Sequence, residues 1–268
     1  MSQIVAISNQ KGGVAKTTTC LSLGACLAEL GQRTLVVDLD SQAHLALAAG
    51  LDPDQLQWTL ADLLDSSGGA AASSPFPSAS AGERGGVIQP TLVEGLDILP
   101  ADLRLASVER FLYERDDYET ILAQILAPWQ VEYDYILLDC PPSLGALTLM
   151  ALTAAHRVLI PVQCEYFAAR GLSRLLDIVA AVQERTNPDL TCHLLATLYD
   201  RRNRICRDVL GKLKAHFPER LLDTVIGVDT CLRECPAVGE PIILYAPRTR
   251  ASQQYRQLAR EFQARIQD

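Results

Sequence analysis

The stretch "NQKGGVAKTTT", residues 9–19, holds two lysines five positions apart in a glycine-rich turn. The apolar run 4–7 comes directly before this turn and is typical of a short buried strand. After the turn the pattern is helical over residues 16–30, and Gly31 is a natural end for the helix. The sequence therefore predicts a strand, a turn and a helix in direct succession.

Short apolar runs separated by helical patterns recur along the chain. Strands that are apolar on both faces and alternate with helices indicate a parallel sheet that is covered on both sides. We therefore predict an α/β fold, with a single doubly wound, mostly parallel sheet and helices on both faces. The predicted strands after 4–7 are 34–37, 96–99, 135–138, 158–160, 193–196 and 224–226.

One segment departs from this rhythm. Residues 66–86, "SSGGAAASSPFPSASAGERGG", consist mainly of Gly, Ala, Ser and Pro. Such a composition cannot bury much apolar surface, so we expect a flexible surface loop. The segment is too short to separate two independent domains, and we predict one domain over residues 1–268.

The composition narrows the class of protein. The 268 residues carry a formal net charge of −8, which argues against a protein that coats nucleic acid with its whole surface but allows a local basic patch. Eight cysteines are dispersed without C-x-x-C spacing, as expected of core residues in a reducing cytosol. The chain shows no signal peptide and no apolar run near the ~20 residues of a membrane span. These features predict a cytoplasmic protein.

A strand, a glycine-rich turn and a helix form the context of the phosphate-binding pattern G-x-x-x-x-G-K-[ST]. Backbone N–H groups of such a turn and the helix N-terminus attract anions. Here Lys16 would neutralise the β- and γ-phosphates, Thr17 would ligate Mg²⁺ and Thr18 would contact the α-phosphate. Gln10 and Ala15 replace the two glycines of the pattern, so a turn that binds nothing is the alternative. The nucleotide-binding residues that this pattern predicts are Gly12, Gly13, Val14, Ala15, Lys16, Thr17 and Thr18.

Two further predicted strands lead into carboxylates. Asp40 follows the run 34–37, and Asp139 follows the run 135–138. The carboxyl ends of parallel strands meet at the edge where open α/β sheets bind ligands. A buried carboxylate is costly unless it meets a cation or hydrogen-bond donors, and a hydrated Mg²⁺ would satisfy this need. We predict a metal site formed by Thr17, Asp40 and Asp139.

The segment "KGGVAKTT", residues 11–18, resembles the deviant Walker A motif K-G-G-x-G-K-[ST] of the ParA/MinD class of P-loop ATPases, which have a SIMIBI-type fold. The similarity continues through "DLDSQ" (38–42), "YILLDCPPSLGALTLMALTAA" (135–155) and "VLIPVQCEYFAARGLSRLL" (158–176). It covers nearly the whole chain outside 66–86 and is greatest to the Soj-type ParA branch. The resemblance implies hydrolysis of ATP to ADP and phosphate with Mg²⁺, and a homodimer that encloses two ATP molecules.

The resemblance also implies roles for single residues. Lys11 matches the signature lysine that crosses to the partner's ATP, where a charge delivered in trans acts much as an arginine finger does. Gly12 would let the two backbones approach closely. Asp40 matches the residue that orients the attacking water, and Asp139 matches the Walker B carboxylate. The implied catalytic set is Lys11, Lys16, Asp40 and Asp139; the alternative for Lys11 is a solvated loop lysine.

Ala15 stands where the motif has its second glycine. A Cβ at that position costs roughly 1–2 kcal/mol if the backbone φ is positive, and little if φ is negative. We expect nucleotide binding to be retained. If φ is positive, a weaker affinity for the nucleotide is one consequence.

Relatives of the ParA type bind DNA without reading its sequence when they are in the ATP-bound dimer, and a ParB-like or cargo-adaptor protein stimulates hydrolysis. The resemblance thus implies a nucleoid-associated protein that positions a cargo. The family stretch P-R-N-V-R-L-S-E-A-P appears here as "GVDTCLRECP" (227–236), without basic residues at Val228 and Cys231. In the family this stretch lies near the adenine of the nucleotide, so Gly227 and Asp229 are candidate contacts to that base. The candidate DNA-binding residues are Arg201, Arg202, Arg204, Arg207, Arg233, Arg248 and Arg250.

Several alternatives remain at this stage. The arginines could form a solvated face paired with Asp200 and Asp208. The C-terminal apolar stripe at Tyr255, Leu258, Phe262 and Ile266 could grip a membrane as in MinD, but its few cations favour packing on the protein body. A regulatory dimer without DNA affinity, an iron–sulfur carrier and a metabolic ligase are the other classes that share the loop.

Overall fold

The computed structural model of the chain describes residues 2–66, 86–166 and 168–267. Its strands are β1 Gln3–Ile7, β2 Thr34–Asp38, β3 Gln89–Pro90, β4 Leu96–Leu99, β5 Tyr135–Asp139, β6 Arg157–Gln163, β7 Thr191–Tyr199 and β8 Leu221–Gly227. They form a single eight-stranded sheet in the order β3-β4-β2-β5-β1-β6-β7-β8.

All neighbouring strands pair in parallel except β3, which is antiparallel to β4. The predicted fold class is therefore confirmed, and each predicted strand lies inside an observed one. The sequence did not reveal β3, because two residues that include Pro90 carry no strand periodicity.

Helices cover both faces of the sheet. They are α1 Lys16–Glu29, α2 His44–Ala48, α3 Leu60–Ser66, α4 Leu105–Leu112, α5 Tyr118–Leu126, α6 Ala146–Ala154, α7 Ala168–Arg185, α8 Arg204–His216, α9 Cys231–Val238, α10 Ile242–Tyr245 and α11 Arg250–Gln267, with 3-10 turns at Pro53–Gln55 and Ala127–Val131. Side chains of α3 to α8 pack in one apolar layer, and those of α1, α2 and α9 to α11 pack in the other.

Helix α1 lies close against the sheet and so fixes the turn that precedes it. A Cβ at Gly24, in the middle of α1, would lie 2.9 Å from the Cγ1 atom of Val36 in β2. Only a glycine allows this approach. The helix ends at Glu29 and Gly31 has a φ of +82°, as the sequence predicts.

The carboxyl ends of the central strands meet at one edge of the sheet. Asp38 and Asp139 occupy the same register position in β2 and β5, and Ile7 at the end of β1 pairs with Asp139 on its other side. The turn that follows β1 and both acidic strand ends are therefore neighbours, as predicted from the parallel arrangement.

Two predictions concern the ends of the described segments. Ser66 is the last residue of α3, and the predicted loop otherwise falls almost entirely on residues 67–85, which lie outside the described part of the chain.

The C-terminal stripe belongs to α11, where Tyr255, Leu258 and Phe262 are at most 1% exposed. These three residues pack on the layer that α1 and β8 form, as predicted for the stripe, and the side chain of Ile266 lies outside the described part of the chain. In the described ranges, no helix is both long and apolar enough to cross a bilayer.

Leu258→Ala should lower the free energy of unfolding by about 2–5 kcal/mol, because it leaves a cavity between α11 and the sheet. Gln257→Ala, at an exposed neighbouring position, is the matched control and should change stability by no more than about 0.5 kcal/mol. Urea denaturation followed by circular dichroism measures both. Equal small effects would show that α11 does not pack as described.

Candidate nucleotide site

The turn between β1 and α1 has the backbone of an anion-binding nest. Gly13 and Ala15 have positive φ angles of +74° and +72°, and the residues on either side of each do not. Alternation of this kind turns successive N–H groups toward one point. Within the described chain, the N–H groups of residues 12–18 donate to no protein acceptor. The turn is thus a ready cradle for a phosphate at the positive end of α1.

Ala15 adopts the left-handed conformation, with φ +72° and ψ +36°. Of the two possibilities that the sequence left open for Ala15, the structure has the positive φ. The methyl group costs roughly 1–2 kcal/mol relative to an unstrained residue. The geometry of the nest is kept, so the alanine strains the loop without deforming it. Ala43, which precedes α2, also has a left-handed backbone, with φ +53°.

Polar side chains that the sequence did not single out tie the turn to the sheet. Asn9 donates from Nδ2 to the carbonyl oxygen of Pro161 at 2.7 Å and accepts from the N–H of Lys11 at 3.0 Å. Thr197, two residues before the end of β7, donates from Oγ1 to the carbonyl oxygen of Val14 at 3.0 Å. Asn9 and Thr197 are both buried. Pro161 is 152 residues from Asn9 and Thr197 is 183 residues from Val14, so no local sequence pattern reveals these contacts.

Lys16 brings a buried ammonium group to the floor of the turn. The residue is 7% exposed, and its Nζ atom donates to the carbonyl oxygen of Lys11 at 3.3 Å. Burial lowers the pKa of Lys16, while the nearby carboxylates of Asp139 and Asp40 raise it. A cation held here with weak protein partners suits an anionic ligand.

Asp139 is the buried carboxylate of the site. It is 1% exposed, and neither oxygen accepts a well-formed hydrogen bond from the described residues. Burial raises the pKa of Asp139 to about 7, against the lowering effects of the Thr17 hydroxyl and the Lys16 ammonium. Two free carboxylate oxygens beside a threonine hydroxyl fit a hydrated Mg²⁺.

Asp40 lies at the rim of the same edge and is partly exposed. Its Oδ1 atom accepts from the N–H of Gln42 at 3.0 Å. Asp38, for which the sequence suggested no role, holds this loop in place. Its two oxygens accept from the N–H groups of Asp40 at 3.0 Å and Leu45 at 3.1 Å. Asp38 thus orients the loop that carries Asp40, and α2 behind it.

No group of three or more His, Cys, Asp or Glu side chains in the described residues could hold a metal ion. A metal at this edge would therefore take its other ligands from Thr17, water and the bound phosphates, as the predicted set of Thr17, Asp40 and Asp139 implies. The eight cysteines are all free.

Lys11 bends back onto its own chain. Its Nζ atom donates to Oε1 of Gln163 at 3.0 Å and forms an ion pair with Glu165. The side chains of Lys11 and Glu165 are 39% and 34% exposed. No sequence pattern indicated Gln163 or Glu165 as a partner of Lys11. Gly12 beside it is exposed, and a Cβ there would meet no atom within 4 Å.

The candidate DNA-binding arginines are only partly brought together. The ends of β7 and β8 are adjacent, because the Val228 N–H donates to the Tyr199 carbonyl oxygen at 3.1 Å. This places the group 201–207 near Arg250. Hydrogen bonds from Arg202 lower the pKa of Asp200 most, and the charge of Arg250 lowers it further. Arg233 and Arg248 are both exposed, and within the described ranges neither side chain forms a hydrogen bond or ion pair with this group.

Two of these arginines already have acidic partners. Arg202 pairs with Asp200 at 3.0 Å, and Arg204 lies 3.6 Å from Asp208. The predicted alternative, a solvated face paired with Asp200 and Asp208, is thus present for these two arginines. All four side chains remain accessible, so the pairs are weak and can exchange partners.

The candidate base contacts have local uses in this structure. The N–H of Gly227 donates to Oε1 of Gln254 at 3.0 Å, and Arg250 lies over the same glycine. Asp229 accepts from the N–H of Cys231 at 3.1 Å and so begins α9. Their contact with a base stays a prediction.

Comparison with known proteins agrees with this geometry. A family profile described as an AAA domain matches residues 2–192. The sporulation initiation inhibitor protein Soj of Bacillus subtilis is 41% identical over 265 residues, which covers 98% of this chain and 99% of Soj. The chain belongs to the ParA/Soj family of ATPases. The chromosome partitioning protein ParA of Myxococcus xanthus is 38% identical and is covered to 88%, with 98% of this chain.

A solved structure supports the fold of this ParA-family chain. The cobyrinic acid a,c-diamide synthase of Mycobacterium smegmatis, with bound ADP and magnesium, superposes with a TM-score of 0.80 at 37% identity. The match covers 97% of this chain and 93% of that protein. Membership of the family confirms the resemblance drawn from "KGGVAKTT", despite Ala15 in the loop.

Ala15→Gly should raise the free energy of unfolding by up to about 1 kcal/mol, because relief of the left-handed strain exceeds the entropy cost of glycine. Ala215→Gly in α8, an exposed helical position, is the matched control and should destabilise by about 1 kcal/mol. Urea denaturation of the nucleotide-free proteins gives both values. A loss of stability in Ala15→Gly equal to that of the control would contradict the strained conformation.

Proposed function

We propose that this ParA/Soj-family ATPase depends on Mg²⁺ and acts as a nucleotide-switched dimer. ATP and Mg²⁺ bind to a monomer at the nest of residues 12–18, and two loaded protomers close face to face. The dimer binds DNA without sequence preference, a ParB-like or cargo-adaptor protein stimulates hydrolysis to ADP and phosphate, and the dimer separates. Repeated cycles in the cytoplasm position a cargo on the nucleoid.

The observation that carries the proposal is the convergence of three groups at one edge of the sheet. A nest of unpaired N–H groups, the buried Lys16 ammonium and the unpaired Asp139 carboxylate all meet there. The first two neutralise phosphate, and the third suits the metal that accompanies it. Similarity to Soj over nearly the full length of both chains supports the same cycle.

Hydrolysis needs a positioned water and a charge on the transferred phosphoryl group. Asp40 is the group proposed to orient the water, because it lies at the rim of the site on a loop fixed by Asp38. Lys16 stabilises phosphate charge within the protomer. Lys11 is proposed to supply the second cation to the partner's nucleotide.

The ion pair between Lys11 and Glu165 does not prevent this transfer. The pair is more than a third exposed on both sides, and such pairs contribute about 0–1 kcal/mol. A phosphate in a dry dimer interface binds an ammonium group more strongly than a solvated carboxylate does. The arm of Lys11 can therefore leave its own chain when a partner's ATP is present.

DNA binding is proposed for the arginines that follow β7 and β8. A net charge of −8 leaves the protein with little general affinity for DNA, so a local patch must supply the attraction. Two-fold symmetry would double the patch in the dimer. Dimerisation then controls DNA affinity because a single patch contains few cations.

Lys11→Ala should bind ATP with affinity close to that of the wild type but form no ATP-dependent dimer, because the charge that bridges the two protomers is missing. Lys214→Ala, at an exposed position on α8, is the matched control and should dimerise normally. Sedimentation velocity with ATP and Mg²⁺, alongside calorimetric titration, separates binding from assembly. A dimer of Lys11→Ala that forms and hydrolyses ATP as the wild type does would remove the arm from the mechanism.

The double change Arg201→Glu and Arg202→Glu should weaken DNA binding in ATP by at least tenfold and flatten its dependence on salt, because fewer counterions are released. The control is Arg33→Glu with Arg220→Glu, which alters the net charge equally at exposed positions near the opposite edge of the sheet. Fluorescence anisotropy with a labelled duplex over a salt series measures both. Equal losses in the two proteins would show that net charge, and not this patch, decides affinity.

A second candidate is a nucleotide-switched regulatory dimer that binds a protein partner but not DNA. The pairing of Arg202 and Arg204 with Asp200 and Asp208 favours it, because it reduces the free positive charge of the patch. The same anisotropy titration decides between the two. Wild-type protein that shows no ATP-dependent DNA binding at 50 mM salt would favour the regulator.

A further inference from the structure

We infer that Thr197 is a positioning residue for nucleotide binding, which holds the peptide bond between Val14 and Ala15 in the orientation that turns the Ala15 N–H toward phosphate. The inference rests on the proposed binding of ATP at this loop. It adds to the site a residue from β7, which is separated from β1 by β6 alone, and it explains how the loop keeps its shape without glycine at position 15.

The contact itself is fully buried. Thr197 is 0% exposed and Val14 is 1% exposed, and the hydroxyl donates to the Val14 carbonyl oxygen at 3.0 Å. A buried carbonyl without a donor is costly, so this hydrogen bond fixes the direction of the carbonyl. The N–H of the same peptide belongs to Ala15 and must point the opposite way, into the nest.

The position of Thr197 depends on an irregularity in β7. Thr197 is the last residue paired with β6, opposite Gln163, and its carbonyl oxygen accepts from the Cys164 N–H at 3.2 Å. Immediately beyond it, Leu198 has a φ of +51° and the register with β8 shifts. Beyond Thr197, β7 no longer pairs with β6 and continues along β8 alone, and the Thr197 hydroxyl meets the turn before α1.

Strain at Ala15 works against the orientation that Thr197 holds. A peptide unit can rotate by about half a turn while its neighbours stay in place, and this rotation is the difference between type I and type II turns. Here it would move Ala15 from φ +72° to a negative φ that alanine adopts without strain. It would also point the Val14 carbonyl into the phosphate cradle, where it would repel the ligand.

The strain at Ala15 and the hydrogen bond from Thr197 together predict a coupling that would be absent if Thr197 only filled space. With alanine at position 15, loss of the Thr197 hydroxyl lets the strained peptide rotate into the wrong orientation. With glycine at position 15, both orientations are unstrained, so the hydroxyl has less to oppose. Substitutions at positions 15 and 197 should therefore be coupled, and a threonine that merely fills space would give additive effects.

The test measures the affinity for Mg²⁺·ADP, which avoids any contribution from dimerisation. The proteins are the wild type, Thr197→Val, Thr197→Ser, Ala15→Gly and the double variant Ala15→Gly with Thr197→Val. Isothermal titration calorimetry gives Kd for each. Thr197→Val, which keeps the shape but loses the hydroxyl, should bind about tenfold more weakly. Thr197→Ser should stay within about twofold of the wild type, and in the Ala15→Gly background the valine should cost no more than about twofold.

Two results would overturn the inference: a Kd of Thr197→Val equal to that of the wild type, or an equal loss in both backgrounds at position 15. If Thr197→Val does not fold, as thermal denaturation would show, Thr197→Cys replaces it as the weak-donor variant beside Thr197→Ser. Failure of the site assignment itself would look different. In that case the wild type would bind ADP no better than Lys16→Ala.

Discussion

The structure depends on a row of backbone N–H groups, in residues 12–18, for which the described chain provides no acceptor. Folding leaves them unpaired because the turn is held open by contacts to strands far away in sequence, from Asn9 to Pro161 and from Thr197 to Val14. Convergent N–H groups at a helix N-terminus carry a partial positive charge. An anion that accepts several of these hydrogen bonds is attracted by that charge, so the turn favours phosphate before any side chain is considered.

The charged side chains around this cradle differ in exposure, and this difference separates their proposed roles. Lys16 and Asp139 are buried and fixed, and burial lowers the pKa of Lys16 and raises the pKa of Asp139. Triphosphate beside Lys16 would favour its ammonium form, and Mg²⁺ beside Asp139 would favour its carboxylate form. Lys11 is partly exposed and weakly paired, so it is free to change partners. This contrast between fixed and movable charge is what would make hydrolysis conditional on a second protomer.

The sequence predicts the regular part of the fold well, since buried parallel strands such as 135–138 are continuous apolar runs. It also locates the loop, Asp139 and the edge of the sheet where they meet. It could not decide the sign of φ at Ala15, because that sign depends on tethers to Pro161 and Thr197. Nor could it show the ion pair of Lys11 with Glu165, 154 residues away. Both features arise from tertiary contacts that leave no local pattern.

The structure of the protein with Mg²⁺ and a non-hydrolysable ATP analogue tests the central claim most directly. The account predicts a dimer in which phosphate oxygens lie about 3 Å from the N–H groups of residues 12–18. In that dimer Lys11 leaves Glu165 and contacts the nucleotide of the partner subunit. A loaded dimer in which Lys11 stays on its own Glu165, or in which the phosphates bind away from the turn, would contradict the account.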